Sequence, residues 1–333
     1  MQLVIRLSIE VISETLRTIL TRVGFSNERA ALCARLFAET SRDGVYSHGL
    51  NRFPRFIGAI SDGLIDVNAE PSLVESFGAL ERWDGRLGPG NLNAYSSMRR
   101  AMELSAKHGI GCVALRNTNH WMRGGTYGWQ AADAGFLGIC WTNTLPNLPP
   151  WGGIRPTVGN NPFVISVPRS EGNVVLDMAM SQFSFGALES YRRRGEQLPV
   201  VGGFDVEGEL TSDPAAIETS GRPLPIGYWK GSGLSLMLDM VAALLSDGCA
   251  TYRIPTEVLK ETKLSQVFIA IQASATNKER VLEEILAFMK SSSDDQAAVR
   301  YPGERTLKTR MTNLAEGIPV DEIMWESILK LDD

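Results

Sequence analysis

Three histidines occur in 333 residues, and two of them stand among residues that could do proton chemistry. The first is His48, in DGVYSHGLNRFPRF (residues 43–56), preceded by Ser47 and followed by Arg52 and Arg55. Read as a helix, positions 48 and 52 share a face, so an imidazole and a guanidinium could meet one small anion. Arginine can hold a carboxylate through two parallel hydrogen bonds. Histidine, with an unperturbed pKa of ~6.5, gives or takes a proton near neutrality. Ser47 could orient the ring or reprotonate it. A His and Arg that only stabilise a helix start fit the same spacing, and the segment alone leaves both readings open.

The second is His120, in NTNHWMRGGTYGWQAA (residues 117–132), among Trp121, Arg123, paired glycines, Tyr127 and Trp129. Flat apolar surface, a few polar groups and close-approach backbone are what ligand pockets use. An aromatic packing corner would have the same composition. His108 ends a helical pattern and reads as a partner for the helix dipole. PPWGGIRPTVGNNP (149–162) is too rich in Gly and Pro for regular structure and reads as a long binding loop or an ordinary connection. Asp177 at a strand end, Lys230 before a glycine-rich helix start, and Gly303-Glu304 after Pro302 are each weak alone, since turn chemistry explains them equally well.

The elements that must carry these groups follow from periodicity. Ile9, Ile12, Leu16, Ile19, Leu20 and Val23 are helix-spaced, with Ser8 as N-cap and Gly24 as stop. Ser26 caps a second helix with Glu28 in its first turn, where the dipole favours an anion. Leu50, Phe53, Ile57 and Ile60 mark a third, with Pro54 tolerable in its first turn. From about Val74 short β-type runs (GIGCVAL, LGICWTN, PFVISVP, NVVLDMA) alternate with helical patterns at 91–108 and 228–245. Helices near 278–290 and 320–331 finish the chain. The expectation is a helical portion over 1–75, joined by C-terminal helices of 276–333, and an α/β domain over 76–275.

Composition narrows the class. With 44% hydrophobic and 21% charged residues and a formal charge of −5, the chain has globular composition. Its cations are scattered, which argues against nucleic acid. The longest apolar run, within GSGLSLMLDMVAALLSDG, is broken by Asp239 and falls short of the ~20 residues of a membrane span. No small-residue cleavage site follows the apolar N-terminus, so the expected location is the cytoplasm. Cys33, Cys112, Cys140 and Cys249 are far apart without a C-x-x-C pair, which suggests buried thiols and no metal site.

A nicotinamide enzyme usually carries G-x-G-x-x-G between a strand and a helix. The nearest match, Gly109-Ile-Gly111-Cys-Val-Ala114, follows a helix and enters a strand, the reverse order, and reads as a helix C-cap. Taken together, however, YSHGLNRFPRF, NHWMRGGTYGWQAA, GICWTN, PPWG, GYWKGSG and SQVFIAI resemble the malate/L-lactate dehydrogenase type-2 family over nearly the whole chain. That resemblance implies a mixed α+β fold: a helical portion plus a largely antiparallel α/β domain, not a Rossmann fold.

It also implies NADH or NADPH as cofactor. The nucleotide would be held by Asn173, Val174, Val175, Leu176, Asp177, Met178 and Ala179, by Trp229 and Lys230, and by Gly303, Glu304 and Arg305. His48 would be the proton donor, with Ser47, Arg52 and His120 completing the catalytic set. The implied substrate is a small 2-keto acid, a diketo sugar acid first, with other 2-keto or 2-hydroxy acids such as malate and lactate, or cyclic 2-imino acids, as alternatives. A non-catalytic sugar-acid or nucleotide binder is the non-enzyme alternative. A homodimer is expected, without membrane or nucleic-acid partners. Three departures stand out: Gly159-Asn160-Asn161-Pro162 has asparagine where relatives usually have threonine, the 251–264 segment is short, and 302–305 reads PGER.

Overall fold

The computed structural model describes residues 4–257, 261–274, 276–295 and 298–331. It opens with β1 (Val4–Leu7), followed by α1 (Ile9–Arg22) and α2 (Asn27–Arg42), whose N-caps Ser8 and Ser26 accept from Val11 N and Arg29 N. α3 (Phe53–Ser61) begins with Pro54 in its first turn, as the sequence allows. The helix-spaced apolar residues Leu16, Ile19, Phe37, Phe53 and Phe56 are buried together, and Phe37 meets Phe53 edge-on at 5.3 Å. Each such side chain contributes ~1.5–3 kcal/mol by leaving water.

β2 (Ser72–Ser76) and β3 (Leu80–Asp84) start the main sheet. Then come α4 (Gly90–His108), β4 (Ile110–Thr118), α5 (Gly125–Asp133), β5 (Phe136–Thr142), β6 (Phe163–Val167) and β7 (Val174–Met178). A smaller unit follows, with α6 (Phe185–Arg194), β8 (Gly203–Phe204), β9 (Leu210–Thr211) and α7 (Pro214–Ser220). The chain returns through α8 (Trp229–Ser246) to β10 (Leu264–Gln272), then α9 (Lys278–Lys290), α10 (Glu304–Glu316), β11 (Ile318–Asp321) and α11 (Glu322–Leu329). The seven-stranded order is β2-β3-β4-β10-β5-β6-β7, antiparallel at every step except β3-β4. A doubly wound parallel sheet is therefore absent from the described residues, as the sequence predicts.

The sheet is covered on both faces, and the alternation along β10 shows how. Phe268 and Ala270 pack with Met98 and Ala101 of α4, while Val267 packs with Leu238 and Ala242 of α8. Strands buried on two faces read as continuous apolar runs, which is why SQVFIAI shows no polar alternation. Gly109 takes the left-handed conformation (φ 82°) and ends α4. A Cβ on Gly111 would lie 2.1 Å from Ala101 O, so this glycine serves helix-on-strand contact, not phosphate binding.

Several elements escape the periodicity analysis, among them α5, α6, α7, β10, β1 and α10. β1 pairs antiparallel with β11, joining the two ends of the described chain. α10 occupies a stretch the sequence reads as a turn, although Leu307, Met311 and Leu314 are helix-spaced. Cys33 and Cys140 are buried, but Cys112 and Cys249 are only partly so, and all four are free.

Candidate active site

His48 and Arg52 do not lie on one helix, contrary to the spacing argument. Tyr46–His48 and Leu50–Arg52 form two separate 3₁₀ turns, broken at Gly49 (φ −99°, ψ −125°). The break has a packing cause. A Cβ on Gly49 would sit 2.1 Å from Ser41 Oγ on α2, and Leu50 N donates to that same hydroxyl at 2.9 Å. The turn is thus pressed onto α2, and His48 projects from it with Ser47 Oγ 3.0 Å from its Nδ1.

The structure brings the two candidate histidines together. The rings of His48 and His120 lie 5.9 Å apart and within 23° of parallel. His120 sits in the loop after β4, where Met122 N donates to its Nδ1 at 3.0 Å. A ring nitrogen that accepts carries no proton, so neutral His120 presents an N–H at Nε2. Met122 adopts φ 65° to make this contact, an uncommon conformation for a long side chain. Burial lowers the His48 pKa to about 4, assisted by the positive charges of Arg52 and Arg123. Burial also drives His120 well below its ordinary value, with Arg52, His48 and Arg55 adding to it. Both imidazoles are neutral at pH 7.

Arg52, Arg55, Asn119, His120 and Glu261 line a cavity of about 40 Å³, room for a group the size of a water or a carboxylate. Arg52 Nη2 stands 3.9 Å from Glu261 Oε2, and Leu145 N donates to Glu261 Oε1 at 3.3 Å. Burial raises the Glu261 pKa, while Arg52 and Arg55 oppose it. Burial also lowers the Arg52 pKa to about 10, with Arg55 reinforcing and Glu261 opposing. No sequence signal marks Glu261. It lies in the irregular segment 251–264, of which 258–260 fall outside the described residues.

The aromatic residues around His120 divide. Trp121, Tyr127 and Trp129 are core, with Trp121 and Tyr127 both edge-on to Phe268. Arg123 instead runs to Asp43 at the end of α2, which also receives Arg42 and both Nε and Nη2 of Arg310. Burial alone would raise the Asp43 carboxyl. The hydrogen bonds from Arg310 and the charges of Arg123, Arg310 and Arg42 overcome it and hold the pKa at about 2. Arg310 also lies 4.4 Å over the Trp129 ring, so one carboxylate ties α2, α5 and α10 together beneath the histidines. Sequence analysis missed this node because its partners are 80 and 267 residues away.

The three segments expected to hold a cofactor fall along one line. β7, carrying residues 174–178 of the 173–179 segment, is the edge strand of the sheet. At its start, Val175 N donates to Pro302 O, and a Cβ on Gly303 (φ 94°) would sit 3.1 Å from Val175 N. Beyond its end, Ile226 N donates to Met180 O and Ser181 bridges Pro225, which sets Trp229 and Lys230 at the other end. From Val175 to Met180 is roughly 17 Å at ~3.3 Å per residue. Asp177 accepts from Gly125 N at 2.9 Å, and a Cβ on Gly125 would lie 2.6 Å from that oxygen, which accounts for the paired glycines. Asn173 donates to Asp133 at 2.6 Å. Trp229 is 66% exposed. Asn160 accepts from Thr144 and Asn147 and so belongs to the loop's own network. An edge strand with a glycine turn at one end and a helix start at the other has the shape to hold an extended dinucleotide.

Among the described residues no helix is long and apolar enough to cross a membrane, and no cluster of three or more His, Cys, Asp or Glu could hold a metal ion. Residues 7–329 match the family profile described as malate/L-lactate dehydrogenase. The chain is 46% identical over 332 residues to the 2,3-diketo-L-gulonate reductase of Citrobacter koseri, covering 98% of this chain and all of that one. Among solved structures it resembles sulfolactate dehydrogenase from Methanocaldococcus jannaschii, with TM-score 0.90, 29% identity, and 98% and 96% of the two chains covered. It also resembles delta1-piperideine-2-carboxylate reductase from Pseudomonas syringae pvar. tomato, with TM-score 0.87, 27% identity, and 98% and 99% covered. Sequence match and fold agree: the chain is an oxidoreductase that belongs to the malate/L-lactate dehydrogenase family.

Proposed function

We propose that the protein reduces a 2-keto sugar acid, 2,3-diketo-L-gulonate to 3-dehydro-L-gulonate first among the candidates, using NADH or NADPH. The observation that carries this reading is the stacked His48–His120 pair beside Arg52 and the small cavity that Arg52 and His120 line, taken with the 46% identity to a reductase of that name. The bound nicotinamide would supply a hydride to the keto carbon. Residues 173–179, Trp229, Lys230, Gly303, Glu304 and Arg305 would hold it.

The chain's own groups then have distinct tasks. Arg52 receives the substrate carboxylate in its planar fork. His120, with its proton at Nε2, donates to the substrate oxygens and steadies charge where a water-poor site makes a fixed donor most effective. His48 gives its proton to the oxygen that becomes the alcohol, and Ser47 Oγ, at its other nitrogen, connects it to solvent for reprotonation. The low pKa of free His48 fits this role once substrate is included. A carboxylate on Arg52 offsets the charge that disfavours the imidazolium, so the acid form rises when there is something to protonate.

We also propose a homodimer formed through α8. Trp229, Leu236, Met237, Met240 and Leu244 form one exposed stripe, with Trp151 beside it. At ~150–250 Å² per large side chain these expose on the order of 700 Å². That is more than a monomer usually leaves bare and close to the ~800 Å² per partner of a standard interface. A second copy joined by a two-fold axis is the commonest occupant of such a face.

Following the absorbance of reduced nicotinamide against a panel of 2-keto acids and a cyclic 2-imino acid tests the reading. Fastest turnover with 2,3-diketo-L-gulonate supports it, and activity confined to the imino acid overturns it.

A further inference from the structure

Discrimination between the two nicotinamide dinucleotides rests on the ribose 2′ position, which a carboxylate binds as a hydroxyl and an arginine binds as a phosphate. The residues beyond Gly303 bear on this choice. An open cavity of about 730 Å³ is lined by Arg300, Glu304, Arg305, Lys308, Thr309, Thr312 and Asn313. Among the described residues none of Arg300, Arg305 and Lys308 enters an ion pair, and no other carboxylate lines the cavity. Glu304 is already engaged, because Lys290 Nζ donates to its Oε1 at 2.6 Å. The cavity thus holds three uncommitted cations and one neutralised acid.

The direction of the cofactor follows from the two ends of β7. Arg123, three residues after His120, has its Nε 3.8 Å from Asp177 Oδ2 near the C-terminal end of that strand, and Ser47, next to His48, lies against Gly186 of α6, the helix that follows, where an added Cβ would be 3.3 Å from its Oγ. Gly303 lies against Val175 and Asn173 at the strand's start. With the reacting ring at the histidines, the adenosine end lies at Gly303, next to the basic cavity.

We infer that this cavity takes the 2′-phosphate of the adenosine ribose, which makes NADPH the preferred reductant; the inference rests on the proposed cofactor site along β7. Arg305, in the first turn of α10, and Lys308 and Arg300 supply charge-assisted hydrogen bonds to a group carrying nearly two negative charges. The helix start adds its partial positive charge to theirs.

The test uses the full-length protein and two fragments that lack nicotinamide, so it does not depend on turnover. Calorimetry compares 2′,5′-ADP with 5′-AMP. The expected result is at least tenfold tighter binding of 2′,5′-ADP, with a ratio that shrinks as salt rises and falls toward one in Arg300→Ala/Lys308→Ala. Equal or tighter binding of 5′-AMP overturns the phosphate assignment and leaves the cofactor site standing. Binding of neither fragment, nor of either intact dinucleotide, overturns the site along β7 and this inference with it. An unchanged ratio in the double variant shows that the discrimination arises elsewhere and also overturns the inference.

Discussion

The imidazoles of His48 and His120 face each other at 5.9 Å, although one comes from a 3₁₀ turn on α2 and the other from the loop between β4 and α5. Burial and the charge of Arg52 make protonation of both rings harder, and His48 adds to the effect on His120. The site therefore begins neutral at its histidines and positive at its arginines, ready for an anion.

Replacing His48 by Asn should lower turnover by ~10²–10⁴-fold, the usual contribution of a positioned proton donor, with reduced dinucleotide still bound. Steady-state rates together with nucleotide titration check this. Full turnover in the variant removes His48 from the chemistry.

Arg52→Lys should act mainly on substrate capture. A lysine lacks the planar fork, so KM for a 2-keto acid should rise by roughly tenfold or more, which is the loss of one charge-assisted hydrogen bond at ~1.5–3 kcal/mol. An unaltered KM would place the carboxylate elsewhere.

The free-state pKa of His48, near 4, has consequences for pH. An unfolded chain binds a proton at His48 below pH ~6.5, whereas the folded one does not until about pH 4. Between those values the unfolded state holds more protons, so stability falls as pH falls, by up to ~1.4 kcal/mol per unit for this group. Above pH ~6.5 the contribution is constant. Proton NMR of the His48 ring should show titration near pH 4 in the free protein and an upward shift when a 2-hydroxy acid occupies the site. Titration near 6.5 in the free protein contradicts the partly buried, cation-flanked environment.

Asp43→Asn should destabilise the fold by ~3–5 kcal/mol, because removing one partner of a buried ion pair leaves the others uncompensated. The amide keeps one accepting oxygen and carries no charge, so Arg310 would lose one of its two hydrogen bonds, either Arg123 or Arg42 would lose its own, and all three guanidinia would lose their counter-charge. Urea denaturation at pH 7 measures it; a change under 1 kcal/mol means the arginines find other partners.

Met237→Glu or Leu244→Asp, on the exposed stripe of α8, should convert a dimer to monomers in sedimentation velocity. Sedimentation as a monomer by the unaltered protein rejects the α8 interface outright.

What the sequence determined by itself was local. Helix caps at Ser8 and Ser26, the left-handed Gly109 and the reversed order of the glycine motif all depend on neighbours within a few residues, where side-chain chemistry and periodicity act directly. The candidate histidines were legible as residue types, and the resemblance of six short strings to one family supplied the chemistry.

Tertiary structure decided what those residues meet. That the wall of aromatics near His120 is core, that Arg52 stands near Glu261, and that Asp43 gathers three arginines are facts of packing between distant segments. Spacing suggested that His48 and Arg52 share a helix face. Instead Gly49 breaks the helix because α2 leaves no room for a Cβ. Burial, which sets the pKa of both histidines, is a property of the assembled fold, since water is excluded only after the segments that flank the rings have come together.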